Sequence, residues 1–376
     1  MMSRALPFHS LGGMEMIAWD LACQFVKNGL LVTFLTTEIP GRPEQFNSEG
    51  VRVVALKGTR PGCYSRLWWK KSRDYFEKCL ADNVSIIFSV SAAAYGLTHR
   101  RKSFKNIPII LQVHGTSLSE IKSKWKTLSP KAMLASIYNL YCLIKDLYYY
   151  PKFDKIVAIS DAVFNDLKRF VSLDKLDLIY NGIDHHLFWP DLQQRKTMRQ
   201  LFGFNAETKV FISMSRLHSQ KGVKHAIKAF AEYLKQNPDA YYLVLGEGPE
   251  RPALEEIARQ LKVDQHILFQ GAIERSKLNA YLAAADVFLF TTTRCEGLTL
   301  NVMEALAAGL PVILSQHSAS TIDVKEGIYP VDSGDVLAVA KLMEQVLTNN
   351  NSCRQSLLHE RYTLAFCAND YCKRYW

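Results

Sequence analysis

A chain of 376 residues exceeds one ordinary domain and suits two, since domains cluster at about 100–200 residues. With 48% hydrophobic and 22% charged residues in short, dispersed runs, the composition excludes a disordered chain and a disulfide-stapled miniature scaffold. The net charge of +10 is uneven: residues 1–185 carry 25 Lys and Arg against 16 Asp and Glu, residues 186–376 carry 21 against 20.

In chain order, Met1–Phe8 offers only Ala5, Leu6 and Phe8 as core candidates, so a first strand there is either very short or truncated. Glu15 and Asp20 interrupt any signal-like apolar core, and export is not expected. After the loop His9–Gly13, Met14–Asn28 carries one apolar helical face of Ile17, Leu21 and Phe25 with Ala18, Ala22 and Val26, and Gly29 ends it. Leu30–Thr36, Val51–Leu56, Ser85–Val90, Pro108–Val113 and Lys155–Ile159 are β-branched runs of strand length. Strands alternating with helical stretches predict parallel βαβ units.

Trp189-Pro190 and a polar run place a linker and hinge near His185–Arg195. The pattern then restarts: strands at Val210–Ser213, Tyr241–Leu245, His266–Phe269, Val287–Phe290 and Pro311–Leu314, helices over Val223–Gln236, Arg251–Lys262, Lys277–Ala284 and Leu300–Ala308. The uncharged stretch Ala305–Ile322 contains Gly309 and Pro311, which suits a helix end and a strand rather than a membrane span. Arg354–Trp376 reads as an aromatic-rich helix returning to the first domain. The expected fold is α/β, with two doubly wound Rossmann-like domains over 1–185 and 186–353 and a closing helix over 354–376. The eight cysteines form no C-x-x-C pair or zinc spacing and read as reduced cytosolic thiols, mostly buried.

The strongest feature is Glu296-Gly297-Leu298-Thr299-Leu300-Asn301-Val302-Met303-Glu304, followed by Ala308-Gly309-Leu310-Pro311-Val312. Strand, glycine loop, carboxylate, helix start and second carboxylate in that order describe a ligand site at the C-terminal edge of a parallel sheet. Loop amides at a helix N-terminus suit phosphate, and two carboxylates eight positions apart can accept from separate sugar hydroxyls. A loop Glu and a helix-surface Glu are the plainer reading of the pair taken alone.

From Glu296 to Ile313 the block resembles the retaining glycosyltransferases of the GT-B fold, family 4, whose E-x7-E motif commonly reads EGFGLxxxEAxAxGxPVI; here Leu298-Thr299 stand where Phe-Gly is frequent. Ser215-Arg216-Leu217 with Lys221-Gly222 is similar to the family's R-L-x-x-x-K-G pattern, Gly246-Glu247-Gly248-Pro249 to its G-x-G-P turn, and Phe269–Ile273 to the loop that meets the base. In the first half, Gly12-Gly13-Met14-Glu15 resembles the GG-x-E opening, and Ala158-Ile159-Ser160 and Asn181-Gly182-Ile183-Asp184 match blocks that read as structural. Glu15 reads as a first-turn helix charge.

The resemblance implies two catalytic residues, Glu296 and His114, which hold the sugar. The implied donor-binding set is Gly13, Arg216, Lys221, Gly246, Ile273, Leu298, Thr299, Leu300 and Glu304, with Arg216 and Lys221 on the diphosphate and Glu304 on the ribose hydroxyls. A lone His after a strand is usually structural, but the position of His114 at a strand's C-terminal edge before Gly115 favours the site. A UDP- or GDP-linked sugar is the implied co-substrate, retention by front-face attack the implied course, and no metal is expected because no D-x-D sequence is present. A glycan or lipid-linked acceptor in cell-surface polysaccharide or lipopolysaccharide synthesis is expected, with the enzyme cytoplasmic or peripheral on the cytoplasmic face of the inner membrane.

Basic and aromatic residues mix at Tyr64, Arg66, Trp68, Trp69, Lys70, Lys71, Arg73 and Tyr75, at Arg100, Arg101, Lys102 and Lys105, and at Lys122, Lys124, Trp125 and Lys126. This suits an anionic membrane surface on the cytoplasmic face, or a merely solvated basic face. A sugar-nucleotide epimerase or hydrolase is the nearest alternative. A nucleic-acid binder fits the isoelectric point of about 9.1 but leaves the second-half motifs unexplained.

Overall fold

The structure, a computed structural model, describes residues 1–376 apart from 10–11, 100–103, 105, 119–120, 122–129, 295, 297–298, 320–321, 323–325 and 350–353. It contains two compact units, Met1–Gly182 with Arg361–Trp376, and Ile183–Glu360. In the first lie strands β1 Thr33–Thr37, β2 Gln45–Ser48, β3 Val51–Leu56, β4 Ile87–Val90, β5 Ile109–Val113, β6 Lys155–Ala158 and β7 Leu176–Leu178, with helices α1 Gly13–Lys27, α2 Arg66–Cys79, α3 Pro130–Tyr149 and α4 Asp161–Leu167. The second holds β8 Lys209–Met214, β9 Ala240–Leu245, β10 Ile267–Gly271, β11 Val287–Phe290, β12 Val312–Ser315 and β13 Ile328–Val331. Its helices are α5 Leu192–Leu201, α6 Val223–Leu234, α7 Arg251–Gln260, α8 Arg275–Ala284, α9 Leu300–Ala307, α10 Gln316–Ala319 and α11 Val336–Asn349; α12 Leu364–Tyr375 belongs to the first unit.

The first unit pairs its strands as β1-β3-β2 and β4-β5-β6-β7, parallel except for β2 against β3. Met2 joins the two groups through parallel bridges to Leu35 and Ser89. Its N–H donates to the Phe88 carbonyl at 2.8 Å, and its carbonyl accepts from Val90 at 2.9 Å. A first strand therefore exists as a three-residue wedge, defined by backbone pairing to both neighbours rather than by side-chain alternation.

Apolar layers cover both sheet faces. One contains Phe25, Phe34, Phe88 and Val157, the other Trp68, Phe76, Ile109 and Phe153. Ser65 caps α2 by accepting from Trp68 N–H at 3.1 Å. Trp68 is fully buried and donates its indole N–H to Ala93 O at 3.0 Å, while Trp69 donates to Ala92 O at 2.9 Å. This corrects the reading of Trp68 as an interfacial residue, since it lies in the core; Trp69 is half-buried, and both indoles tie α2 to the loop after β4. The other basic clusters, Arg100–Lys102 with Lys105 and Lys122–Lys126, lie outside the described residues.

The closing helix spans Leu364–Tyr375, shorter than the segment from Arg354, because Arg354 is bound in the second unit. Tyr371 is buried with its ring centroid 6.0 Å from Phe25 and 5.2 Å from Phe88, and Tyr375 donates to Asp177 at 2.8 Å.

The unit boundary falls at Gly182/Ile183, and the expected linker around His185–Arg195 runs into α5, whose N-cap Asp191 accepts from Gln194 N–H at 2.8 Å. Arg195 and Arg199 on that helix, with Arg354, converge on Asp286 at 2.6, 3.4 and 3.6 Å. Arg195 and Arg354 also donate to the carbonyls that end α8, between Ala283 and Ala285, while Arg199 donates to Ala284 O through one terminal nitrogen and to Asn205 O and Thr208 O through the other. Unpaired C-terminal carbonyls and the helix dipole draw cations there.

The second unit is one six-stranded sheet of order β10-β9-β8-β11-β12-β13, parallel throughout. Strand order reverses between β8 and β11, and in open parallel sheets that switch point opens a crevice at the strands' C-terminal ends. Of the six described cysteines only Cys23 and Cys367 are buried; Cys79, at the last turn of α2, is exposed, so most are not core thiols. Among the described residues no helix is long and apolar enough to cross a membrane.

Candidate active site at the sheet switch point

Three glycines bring the switch-point loops together. At Gly222, with φ of 68°, a Cβ would lie 1.9 Å from Thr291 O; at Gly246, with φ of 126°, one would lie 1.9 Å from Ser215 O; at Gly248, 2.2 Å from Leu217 O. Positive φ and backbone-to-backbone approach both demand glycine. The loops after β8 and β11 are further laced by Thr291 Oγ1 donating to Gly222 O at 2.9 Å and Thr292 Oγ1 to Gln220 O at 3.0 Å.

This lacing sets Lys221 Nζ 2.9 and 2.7 Å from the two carboxylate oxygens of Glu296. Their side chains are only 20% and 15% exposed. The Glu296 N–H donates to Ser318 Oγ at 3.3 Å. Arg216, at the end of β8, is exposed and makes no side-chain hydrogen bond or ion pair among the described residues. The edge thus offers a paired cation and a guanidinium, the group most suited to bidentate binding of phosphate.

Helix α9 starts immediately beyond. Its N-cap Thr299 makes no side-chain cap, and Thr299 Oγ1 is a buried hydroxyl without a hydrogen-bond partner among the described residues. Asn301 Nδ2 donates to Met214 O at 2.6 Å, tying the first turn to the end of β8. That anchoring role was not predicted; an Asn in the first turn of an apolar helix is the signal that could have found it. Leu300 is half-buried at the first position of α9 and Glu304 is buried one turn on. Gly246 N–H donates to Gly271 O at 2.7 Å. Ile273, half-buried, follows β10, two strands from β8. Leu298 lies outside the described residues.

In the first unit His114 follows β5. Its Nε2 is 2.8 Å from Gln112 Oε1, and Gln112 Nε2 donates to the Tyr371 hydroxyl at 3.0 Å. With the amide nitrogen committed to Tyr371, the amide oxygen accepts, so the imidazole proton sits on Nε2 and Nδ1 is left as an acceptor. Burial pushes the His114 pKa down to about 4, and the ring is neutral near pH 7. Between about 4 and 6.5 the unfolded chain binds a proton that the native state does not, so this residue makes stability fall as pH drops through that window. Urea midpoints from pH 7 to 4.5 are expected to show that slope in the wild type and a shallower one in His114→Asn; equal slopes would remove the assignment.

Gly13 is the exposed first residue of α1, whose N-cap Gly12 supplies no side-chain cap. Glu15 is buried and folds back so that its Oε2 lies 2.3 Å from where a Gly12 Cβ would stand. Ser91, also unanticipated, holds φ of 51° at the end of β4, with its carbonyl accepting from Ser89 Oγ at 2.8 Å. Non-glycine residues in that region concentrate at functional edges.

The two halves match two family models, Glycosyltransferase Family 4 over residues 11–187 and Glycosyl transferases group 1 over residues 194–357. The chain belongs to glycosyltransferase family 4. This family 4 chain is 23% identical over 312 residues to the alpha-monoglucosyldiacylglycerol synthase of Acholeplasma laidlawii, covering 78% of this chain and 74% of that one. It is 32% identical over 177 residues, 45% of this chain and 46% of the other, to the GDP-mannose-dependent alpha-(1-6)-phosphatidylinositol monomannoside mannosyltransferase of Mycolicibacterium smegmatis. Among solved structures it resembles Anabaena HepE in complex with UDP-glucose, with TM-score 0.72, 16% identity, and coverage of 99% of this chain and 97% of that one. The fold is GT-B, two Rossmann-like domains, and the family 4 protein is a glycosyltransferase that uses sugar-nucleotide donors.

Proposed function

We propose that this glycosyltransferase moves a hexose, with retention of configuration, from a UDP- or GDP-linked donor to a glycan or lipid-linked acceptor in cell-surface polysaccharide or lipopolysaccharide synthesis. The observation that carries the reading is the Lys221–Glu296 pair at the switch point, 2.7 Å apart. Leaving-group charge grows on the diphosphate as the glycosidic bond breaks, and fixed cations aimed there lower the barrier. On this reading Lys221 leaves Glu296 for the diphosphate, joined by Arg216, and the released carboxylate accepts from a sugar hydroxyl. Glu304 takes the ribose, the backbone at Gly246 and Ile273 faces the nucleotide, and Thr299 and Leu300 lie beside the transferred sugar. Gly13 and neutral His114 serve from the first unit. The departing phosphate oxygen acts as base toward the acceptor.

The lipid-linked acceptor is supported by relatives whose names contain a diacylglycerol and a phosphatidylinositol. Catalysis is proposed to need no metal, since Lys221 and Arg216 supply the charge. Among the described residues the metal-type cluster is Asp184, His185 and His186, which follows β7 and is not in the loops after β8, β9 and β11. A thermal-shift panel of UDP, GDP, ADP and CMP sugars tests the donor: at 100 times its Kd the right one adds about 2.7 kcal/mol of stability. Turnover should persist in chelator. No shift with any sugar nucleotide, or activity restored only by Mg²⁺ or Mn²⁺, overturns the corresponding claim, and epimer formed from donor alone would replace transfer by epimerisation.

A further inference from the structure

Helix α3 is amphipathic in the reverse sense. Ile137, Leu140, Tyr141, Ile144, Leu147 and Tyr148 recur at spacings of three and four, which places them on one side of a helix, and they are between 36% and 65% exposed. The opposite side carries the polar groups: Asp146 accepts from Tyr95 OH and Ser117 Oγ, each at 2.8 Å. Tyr149 stacks on Tyr95 with centroids 4.1 Å apart. A surface helix normally turns its apolar stripe to the core and its carboxylates to water. Here the carboxylate is inside and the apolar stripe is out, uncovered among the described residues.

The charges say which. From 136 to 149 the only charged residues are Lys145 and Asp146, and Asp146 is bound inward, leaving no carboxylate on the exposed stripe. Lys145 lies 4.3 Å from the Trp69 ring and 5.4 Å from the Tyr141 ring, and Lys152 lies 3.4 Å from the Tyr148 ring. Aliphatic residues flanked by tyrosines and ammonium groups suit the boundary between acyl chains and headgroups. A second copy of the same face would bring ammonium groups together with no carboxylate to meet them. An anionic bilayer supplies the opposite charge and the apolar depth.

We infer that α3 is the membrane-docking element of this protein: it lies in the plane of an anionic bilayer with Ile137, Leu140, Ile144 and Leu147 among the acyl chains and Lys145 and Lys152 at the headgroups. The inference deepens the lipid-linked acceptor reading and rests on it for its purpose, because Asp146 hydrogen-bonds Ser117, three residues beyond His114. Docking through α3 therefore holds the edge that bears His114 at the surface from which a lipid-linked acceptor is drawn.

Co-sedimentation of the full chain with vesicles, without sugar nucleotide, tests this. Phosphatidylglycerol–phosphatidylcholine vesicles are expected to bind the protein at least tenfold more tightly than phosphatidylcholine alone. Leu140→Glu/Ile144→Glu, at exposed positions, should weaken that binding at least tenfold while keeping the melting temperature and the donor-induced thermal shift. Lys145→Gln/Lys152→Gln should weaken it about fivefold per lysine, only on anionic vesicles. Wild-type protein that ignores anionic vesicles, variants that bind as well as wild type, or a wild-type dimer in light scattering that the Glu variant dissolves would each overturn the inference. Vesicle binding that persists in a protein with no donor-induced shift would instead sink the transferase reading.

Discussion

Lys221→Ala is expected to lower kcat/KM by about two to three orders of magnitude, the usual cost of removing one preorganised group that stabilises leaving-group charge. Two losses combine. The diphosphate loses an ammonium whose position is fixed by the Gly222–Thr291 crossing, and Glu296 loses the cation 2.7 Å away. Glu296→Gln separates them. The neutral amide holds Lys221 less tightly than a carboxylate, so free nucleoside diphosphate is expected to bind at least as well as to wild type, while kcat falls about a hundredfold because the sugar loses its charged acceptor. Steady-state kinetics with calorimetric binding of UDP and GDP read both quantities. If Lys221→Ala stays within a few-fold of wild type, or if Glu296→Gln weakens diphosphate binding as strongly as Lys221→Ala, the division of labour is wrong.

Asp286→Ala is expected to cost about 3–5 kcal/mol of stability, because breaking a buried ion pair on one side leaves uncompensated charge. Asp286 is 15% exposed and serves Arg195, Arg199 and Arg354 together, and it also accepts the Val210 N–H at 2.8 Å at the start of β8. Without it three guanidinium groups lose the carboxylate they share. Since domains are stable by about 5–15 kcal/mol, this removes a large part of the second unit's margin. Asp286→Asn, which keeps the acceptor for Val210, should recover part of the loss. Urea denaturation measures both; an Ala variant within 1 kcal/mol of wild type would show that the carbonyls alone hold the arginines.

The second unit was largely legible because its strands are buried on both faces. Val287–Phe290 is an unbroken apolar run in the sequence and a fully buried strand in the fold. Boundaries moved by a residue or two, as at β8 and β9, where backbone pairing continues beyond the apolar run. Elements with little apolar signal went unread: β2, an antiparallel edge strand of Gln45–Ser48, and α5, whose buried contacts come from arginines. Helix α3 also went unread, although Ile137, Leu140, Ile144 and Leu147 carry helical spacing; only the structure shows that this stripe is turned outward.

By itself the sequence determined the two α/β units, the order of the donor motifs and the placement of Lys221, Arg216, Glu296 and Glu304 on loops and helix starts after strands. Those follow from periodicity, glycines and local spacing, which are properties of neighbouring residues. Only the tertiary structure decided what those residues touch. It closed Lys221 onto Glu296 at a sequence separation of 75, joined Gln112, the partner of His114, to Tyr371 at a separation of 259, and drew Trp68 into the core while leaving Ile144 outside. Each outcome depends on which strand lies beside which and which helix face the sheet accepts, and neither is written in any single stretch of the chain.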